Sequence, residues 1–163
     1  MQFSWLDYVL IGGVATVAAI QFLRSTRDLS RVLYETVFVA GAVVAASVLV
    51  HPLVELTGLS APLLFGAGGG VLVVLAILLA ALVNSRLPFG LGVFNYILGL
   101  LLAVACGYAL GHLALRTANM AISPRNPEFA AAVRRSLMAR DLLHFKTFIE
   151  LRAILRFARW KGM

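Results

Sequence analysis

The chain has 163 residues, of which 61% are hydrophobic and 13% charged, with a formal net charge of +7. Such a balance lies outside the range of soluble globular domains and leaves too little polar surface for a water-soluble fold of this length. The charge is unevenly spread: residues 1–115 carry four Lys and Arg against four Asp and Glu, whereas residues 116–163 carry ten against three. Two domains are therefore expected, a transmembrane domain over 1–115 and a basic tail over 116–163. A single cysteine, Cys106, allows no disulfide within the chain and no cysteine metal cluster. No Lys or Arg precedes Arg24, so the first apolar stretch lacks the basic flank of a secretory signal and reads as a retained helix.

Four stretches are long enough to cross a hydrocarbon layer that takes roughly 20 residues of helix. The first is predicted over 6–23, uncharged from Tyr8 to Leu23, with Trp5 and Tyr8 as interfacial anchors. The second, over 33–57, contains Glu35 near its start and meets Pro52 after His51. Proline removes a backbone donor, so this helix is expected to kink or end there, with a useful span of 33–51. The third, over 62–83, holds thirteen Leu, Ile, Val and Phe residues and no charge. At roughly −0.3 to −0.6 kcal/mol each they favour insertion by about 4–8 kcal/mol. The fourth is predicted over 88–115.

Backbone groups find no water in lipid, and period-two alternation is absent, so these segments read as helices rather than a closed barrel. Beyond Arg116, Asn126 is the expected N-cap and Pro127 the first residue of a helix running on to Trp160. Its apolar residues form two stripes, one with Leu143, Leu151, Ile154 and Leu155, the other with Leu142, Ile149, Ala153 and Trp160. Such a helix meets lipid on one side and protein on the other. The expected fold class is thus all-α, a polytopic membrane protein of about four transmembrane helices with a C-terminal amphipathic basic helix.

Small residues recur every four positions at Gly99, Ala103, Gly107 and Gly111 in the fourth helix, at Gly66 and Gly70 in the third, and at Gly41 and Ala45 in the second. This spacing lets helix backbones approach closely, either within one chain or between copies. Alternation of the spans brings the N-terminus, the second loop and the end of the fourth helix to one side. That side collects Asp7, His51, Glu55 and His112, which form a candidate polar cluster or are separately wetted at the interface.

The glycines at 66–70 lack the preceding strand and following Lys-Ser/Thr of a phosphate loop, and no HExxH, CxxC or nucleophile-elbow context occurs. Neither an enzyme nor a metal or organic cofactor is therefore expected. The tail residues Arg134, Arg135, Arg140, Lys146, Arg152, Arg156, Arg159 and Lys161 suit anionic lipid headgroups first, at roughly 1 kcal/mol each near a surface. A protein partner comes second, with Phe145, Phe148, Phe157 and Trp160 as anchors, and nucleic acid is disfavoured for so apolar a stretch.

Arg24, Arg27 and Arg31 in the first loop and Arg86 in the third would place those loops on the cytoplasmic side, against Arg116, Arg125, Arg134 and Arg135 at the start of the tail. The first helix usually dominates, so both termini are expected outside.

Trp5-Leu6-Asp7-Tyr8 opening the first helix and Leu91-Gly92-Val93-Phe94-Asn95-Tyr96-Ile97-Leu98-Gly99 opening the last resemble the colicin V production (CvpA) family, as does Ala81-Leu82-Val83-Asn84. The resemblance covers roughly residues 4–115. It implies a four-helix protein of the bacterial inner membrane with undefined molecular role, linked to colicin export and stress responses, with some relatives joined to an extracytoplasmic serine protease. Two positions depart from the family pattern: its Arg-Gly is Arg24-Ser25 here, and its Asp-Arg pair is Asn95-Tyr96. The expected function is a non-enzymatic membrane scaffold or accessory subunit, possessing a protein partner or forming a homo-oligomer. The alternative is a small transporter or channel.

Overall fold

A computed structural model describes residues 4–144, and these are helical throughout apart from short connections. Four helices are long and apolar enough to span a bilayer: α1 (Trp5–Ser25), α2 (Leu29–Thr57), α3 (Ala61–Arg86) and α4 (Phe94–Ile122). The chain is thus a multi-pass helical membrane protein. Two short helices follow, α5 (Pro127–Arg135) and α6 (Leu137–His144).

The ends of these helices differ from expectation for identifiable reasons. α2 passes through Pro52 and stops only at Gly58, whose φ of +68° and N–H bond to Val54 O form a left-handed cap. Pro52 lies on the exposed end of the helix, where its missing N–H leaves a carbonyl near the interface rather than in the core. α4 begins at Phe94 rather than 88, because Pro88, Gly90 and Gly92 occupy a turn in which Gly92 has φ +60°. At its other end α4 runs past Arg116 to Ile122, since a charge ends the greasy run without interrupting the helical hydrogen-bond ladder. Within α3, residues Leu64–Gly68 form a single π turn in the glycine-rich segment.

α4 is the spine of the bundle, packing on α1 along one side and on α2 along the other, while α2 also packs along α3. The membrane-level core interleaves Val39, Val43, Ala46 and Val50 of α2 with Phe65, Val73 and Ala76 of α3 and Cys106, Ala109 and Leu113 of α4. Small and β-branched side chains dominate because, with lipid on the outside, close van der Waals packing must replace the hydrophobic drive. The outward residues Val71, Val74, Leu75, Leu78 and Leu82 of α3 are exposed, as a lipid-facing surface requires. A second core sits at one end, where Leu6 and Leu115 meet Ala132, Val133, Ala139 and Leu142 of α5 and α6.

The small-residue stripe of α4 faces α1. A methyl at Gly107 would lie 2.8 Å from the backbone oxygen of Val14, one at Gly111 3.2 Å from Val14 Cγ2, and Gly99 abuts Ser25. Ala103 is fully buried on the same face. Gly66 packs on Thr117, but nothing lies within 4 Å of the Cβ position at Gly41 or Gly70. Ala45 is half-buried. Gly69, a position the four-residue spacing missed, is the one pressed between Leu113 and Ala46.

These environments sort the glycines by consequence. Gly107→Ala sets a methyl against a backbone atom that cannot rotate away and is expected to cost about 1–3 kcal/mol. Gly41→Ala and Gly70→Ala are expected to be neutral or stabilising, by up to about 1 kcal/mol, through helix propensity. Melting of the three variants in one detergent checks the order, which an equal loss at Gly41 and Gly107 would contradict.

Candidate functional site

Among the described residues, the buried acidic and histidine side chains gather in two places. At the end where α1 turns into α2, Glu35 is buried, its side chain 1% exposed. Arg24 grips it with two parallel bonds, Nη1 to Oε2 at 2.9 Å and Nη2 to Oε1 at 2.8 Å. Arg31, one helical turn before it, donates Nε to Oε1 at 3.0 Å, and Gln21 donates Nε2 to Oε2 at 3.1 Å. The fork geometry of arginine suits this bidentate grip on a carboxylate. The two arginine side chains are about 40% exposed, so they reach toward the interface while the carboxylate stays inside. Gln21 Nε2 also lies 3.8 Å from Cys106 Sγ, and its Oε1 is buried without a hydrogen-bond partner among the described residues.

Beside this clamp, Asp28 caps α2. Its Oδ1 accepts from Arg31 N at 3.0 Å and lies 2.9 Å from Ser30 Oγ, and its Oδ2 accepts from Asn84 Nδ2 at 2.8 Å. The α1–α2 turn is thereby tied to the end of α3. Burial alone would raise the Asp28 carboxyl, but these bonds and the Arg31 charge outweigh it and hold the group below the ordinary carboxylate value. A depressed folded value means that Asp28 contributes stability above the unfolded carboxylate pKa of about 3.9, and that this contribution fades as pH falls through the folded value. The melting difference between wild type and Asp28→Asn is therefore expected to be full at pH 7 and to shrink below about pH 4. A difference that grew on acidification would refute this assignment.

The second gathering joins α5 and α6 to the bundle. Asp7, fully buried in the first turn of α1, accepts at Oδ2 from Ser4 N at 2.8 Å. Its Oδ1 accepts from Ser136 Oγ at 2.7 Å and from Met138 N at 2.9 Å. Ser136, the residue between α5 and α6, is extended at φ −71° and ψ 127°, and its Oγ accepts from Ala139 N. The continuous helix expected from 127 onward is therefore broken at Ser136, which caps the start of α6 while binding Asp7. Two more ties follow on α4: Tyr108 Oη donates to Asp141 Oδ2 at 2.7 Å, and His112 Nδ1 lies 2.6 Å from Leu142 O. Phe65 stacks edge-on to His112 at 6.4 Å, and Arg116 lies over the Phe65 ring at 4.9 Å.

The four residues expected to form a candidate polar cluster or to be separately wetted thus divide. Asp7 and His112 both hold the α5–α6 arm, at separate points. His51 and Glu55 lie exposed on the last turns of α2, 4.0 Å apart from each other. Of the basic tail, Arg134, Arg135 and Arg140 are exposed on α5 and α6. Lys146, Arg152, Arg156, Arg159, Trp160 and Lys161, with the two apolar stripes beyond Leu143, lie outside the described residues.

The Glu35 clamp went unrecognised as a unit in the sequence. Arg31 and Glu35 stand four apart on one helix, a visible pairing signal, but Arg24 and Gln21 join only when the turn folds α1 against α2. No protein-family model matches the chain, and no curated protein or solved structure matches it either.

Proposed function

We propose that the chain is a non-enzymatic membrane scaffold or accessory subunit, with a four-helix bundle that carries a basic arm for headgroups or a partner protein. The observation that supports it most is the fixation of that arm. Asp7, Tyr108 and His112 each bind backbone or side chains of residues 136–142, so the basic stretch that follows departs from a defined point on the bundle. A segment serving only to be solvated would need no such buried anchors.

The resemblance to the CvpA family, and with it a place in a bacterial inner membrane with both termini outside, belongs to the same proposal. Two residues of the matching motifs have work to do in this fold: Asp7 of the opening motif holds Ser136, and Gly99 gives α4 its close approach to α1.

Purification in mild detergent of the full chain and of a chain ending at His144 tests the scaffold. The full chain is expected to retain a stoichiometric protein partner or a second copy, and the shortened chain to lose it. A lone monomer in both preparations sinks the reading.

A second reading, a small transporter, draws on Gln21 Oε1, a buried polar atom without a partner beside Glu35 and Cys106. Ionisable groups in such a setting are transport candidates. Liposomes containing the pure protein would show proton or ion flux abolished by Glu35→Gln, whereas silence from about pH 5 to 8 removes this reading.

A further inference from the structure

Between the end of α4 and the α5–α6 pair lies a cleft of about 360 Å³ lined by Asn119, Ser123, Arg134, Arg140, Leu143 and His144, with no carboxylate among the described residues of its walls. Arg134, Arg140 and His144 are exposed there and make no ion pair among the described residues. Ser123 Oγ donates to Asn119 Oδ1 at 2.6 Å, which orients the Asn119 amide as a hydrogen-bond donor. We propose that this cleft binds the phosphate of one anionic phospholipid headgroup.

Depth argues for a lipid rather than a free anion. Counting from Arg116, where the apolar run of α4 ends, Asn119 stands about 4.5 Å and Ser123 about 10 Å farther along the helix axis. The headgroup layer of one leaflet is about 5–8 Å thick and begins at that level, so Asn119 stands within it and Ser123 just past its aqueous edge. The arm is also amphipathic in the right sense. Ala132, Val133, Ala139 and Leu142 are buried against the bundle, while Arg134, Arg135 and Arg140 point away from that core. With the apolar side taken up by the bundle, the basic side is left free for anionic headgroups, which attract each basic residue near the surface by about 1 kcal/mol. Two guanidinium groups and an amide around one cleft supply the donors a phosphate needs.

This inference deepens the headgroup half of the scaffold proposal, and it stands without any protein partner. Full-length protein in a mild nonionic detergent is titrated with phosphatidylglycerol, with phosphatidylcholine of the same acyl chains, and with inorganic phosphate. Native mass spectrometry reads the bound fraction. One phosphatidylglycerol per chain is expected, held at concentrations where phosphatidylcholine is not. Arg134→Gln/Arg140→Gln should raise the half-saturating concentration about thirtyfold, from about 1 kcal/mol per basic residue. Arg27→Gln, at the opposite end of the bundle, should leave it unchanged.

Arg140→Gln alone, expected to weaken binding about fivefold, keeps the test decisive should the double variant not fold. Equal retention of phosphatidylcholine, or an equal effect of Arg27→Gln, overturns the proposal in favour of diffuse surface charge. Competition by inorganic phosphate at matching concentration overturns it in favour of a free-anion site. Loss of a protein partner in the shortened chain with lipid retention unaltered would separate the two proposals, since only the scaffold reading predicts the former.

Discussion

Arg24→Leu is expected to destabilise the bundle by about 3–5 kcal/mol, the loss associated with stripping one partner from a buried ion pair. The asymmetry of the clamp makes this a sharper experiment than removing the acid. Glu35 is 1% exposed and cannot reach water when a guanidinium is taken away, whereas Arg24 and Arg31, about 40% exposed, can hydrate when the carboxylate is lost. Glu35→Gln should therefore cost less than Arg24→Leu, even though it abolishes both ion pairs at once. Arg31→Leu should fall between them, because it removes one bond to Oε1 and leaves the bidentate Arg24 grip intact. Thermal melting of the three variants in one detergent at neutral pH gives the order. Should Glu35→Gln prove the most damaging, the clamp would be held together by the acid's role in orienting α1 against α2 rather than by the burden of a buried charge.

The four spans are legible in the sequence because a bilayer imposes one length and one composition on them, and 5–25, 29–57, 61–86 and 94–122 contain most of the expected cores. Their ends are less legible. Hydropathy marks where lipid stops, but a helix stops where its backbone is capped or bent, as at Gly58 and Gly92, and α4 therefore outruns Arg116 by six residues to Ile122. A four-residue period finds a face without knowing whether anything lies opposite it. Gly107 meets Val14 and Gly41 meets nothing, though both sit in similar stripes. Contacts between distant parts of the chain are hidden altogether. Ser136 breaks what propensity alone would continue as one helix, because its partner, Asp7, is 129 residues away. The division of Asp7 and His112 from His51 and Glu55 has the same origin: alternation assigns residues to one end of a bundle, but the arm that visits two of them comes from elsewhere in the chain.

That long-range contact yields the second large expected effect. Asp7→Ala removes the acceptor of three bonds and leaves Ser136 Oγ and the amides of Ser4 and Met138 to find partners elsewhere. Two of these donors, Ser136 Oγ and Met138 N, belong to the arm, and at about 1–3 kcal/mol each it loses about 2–6 kcal/mol of docking energy. The remaining ties, Tyr108 to Asp141 and His112 to Leu142 O, depend on α6 staying in place and do not replace it. The membrane-level core of α2, α3 and α4 contains no residue of the arm. The expected result is therefore local: hydrogen exchange at residues 130–142 accelerates by at least about a hundredfold, while amides in α2 and α3 keep their protection. Asp7→Asn, which retains an acceptor oxygen, should show a smaller acceleration over the same segment. Uniform loss of protection through all four spans would mean instead that the arm is part of the bundle's cooperative unit and that Asp7 holds the whole bundle together.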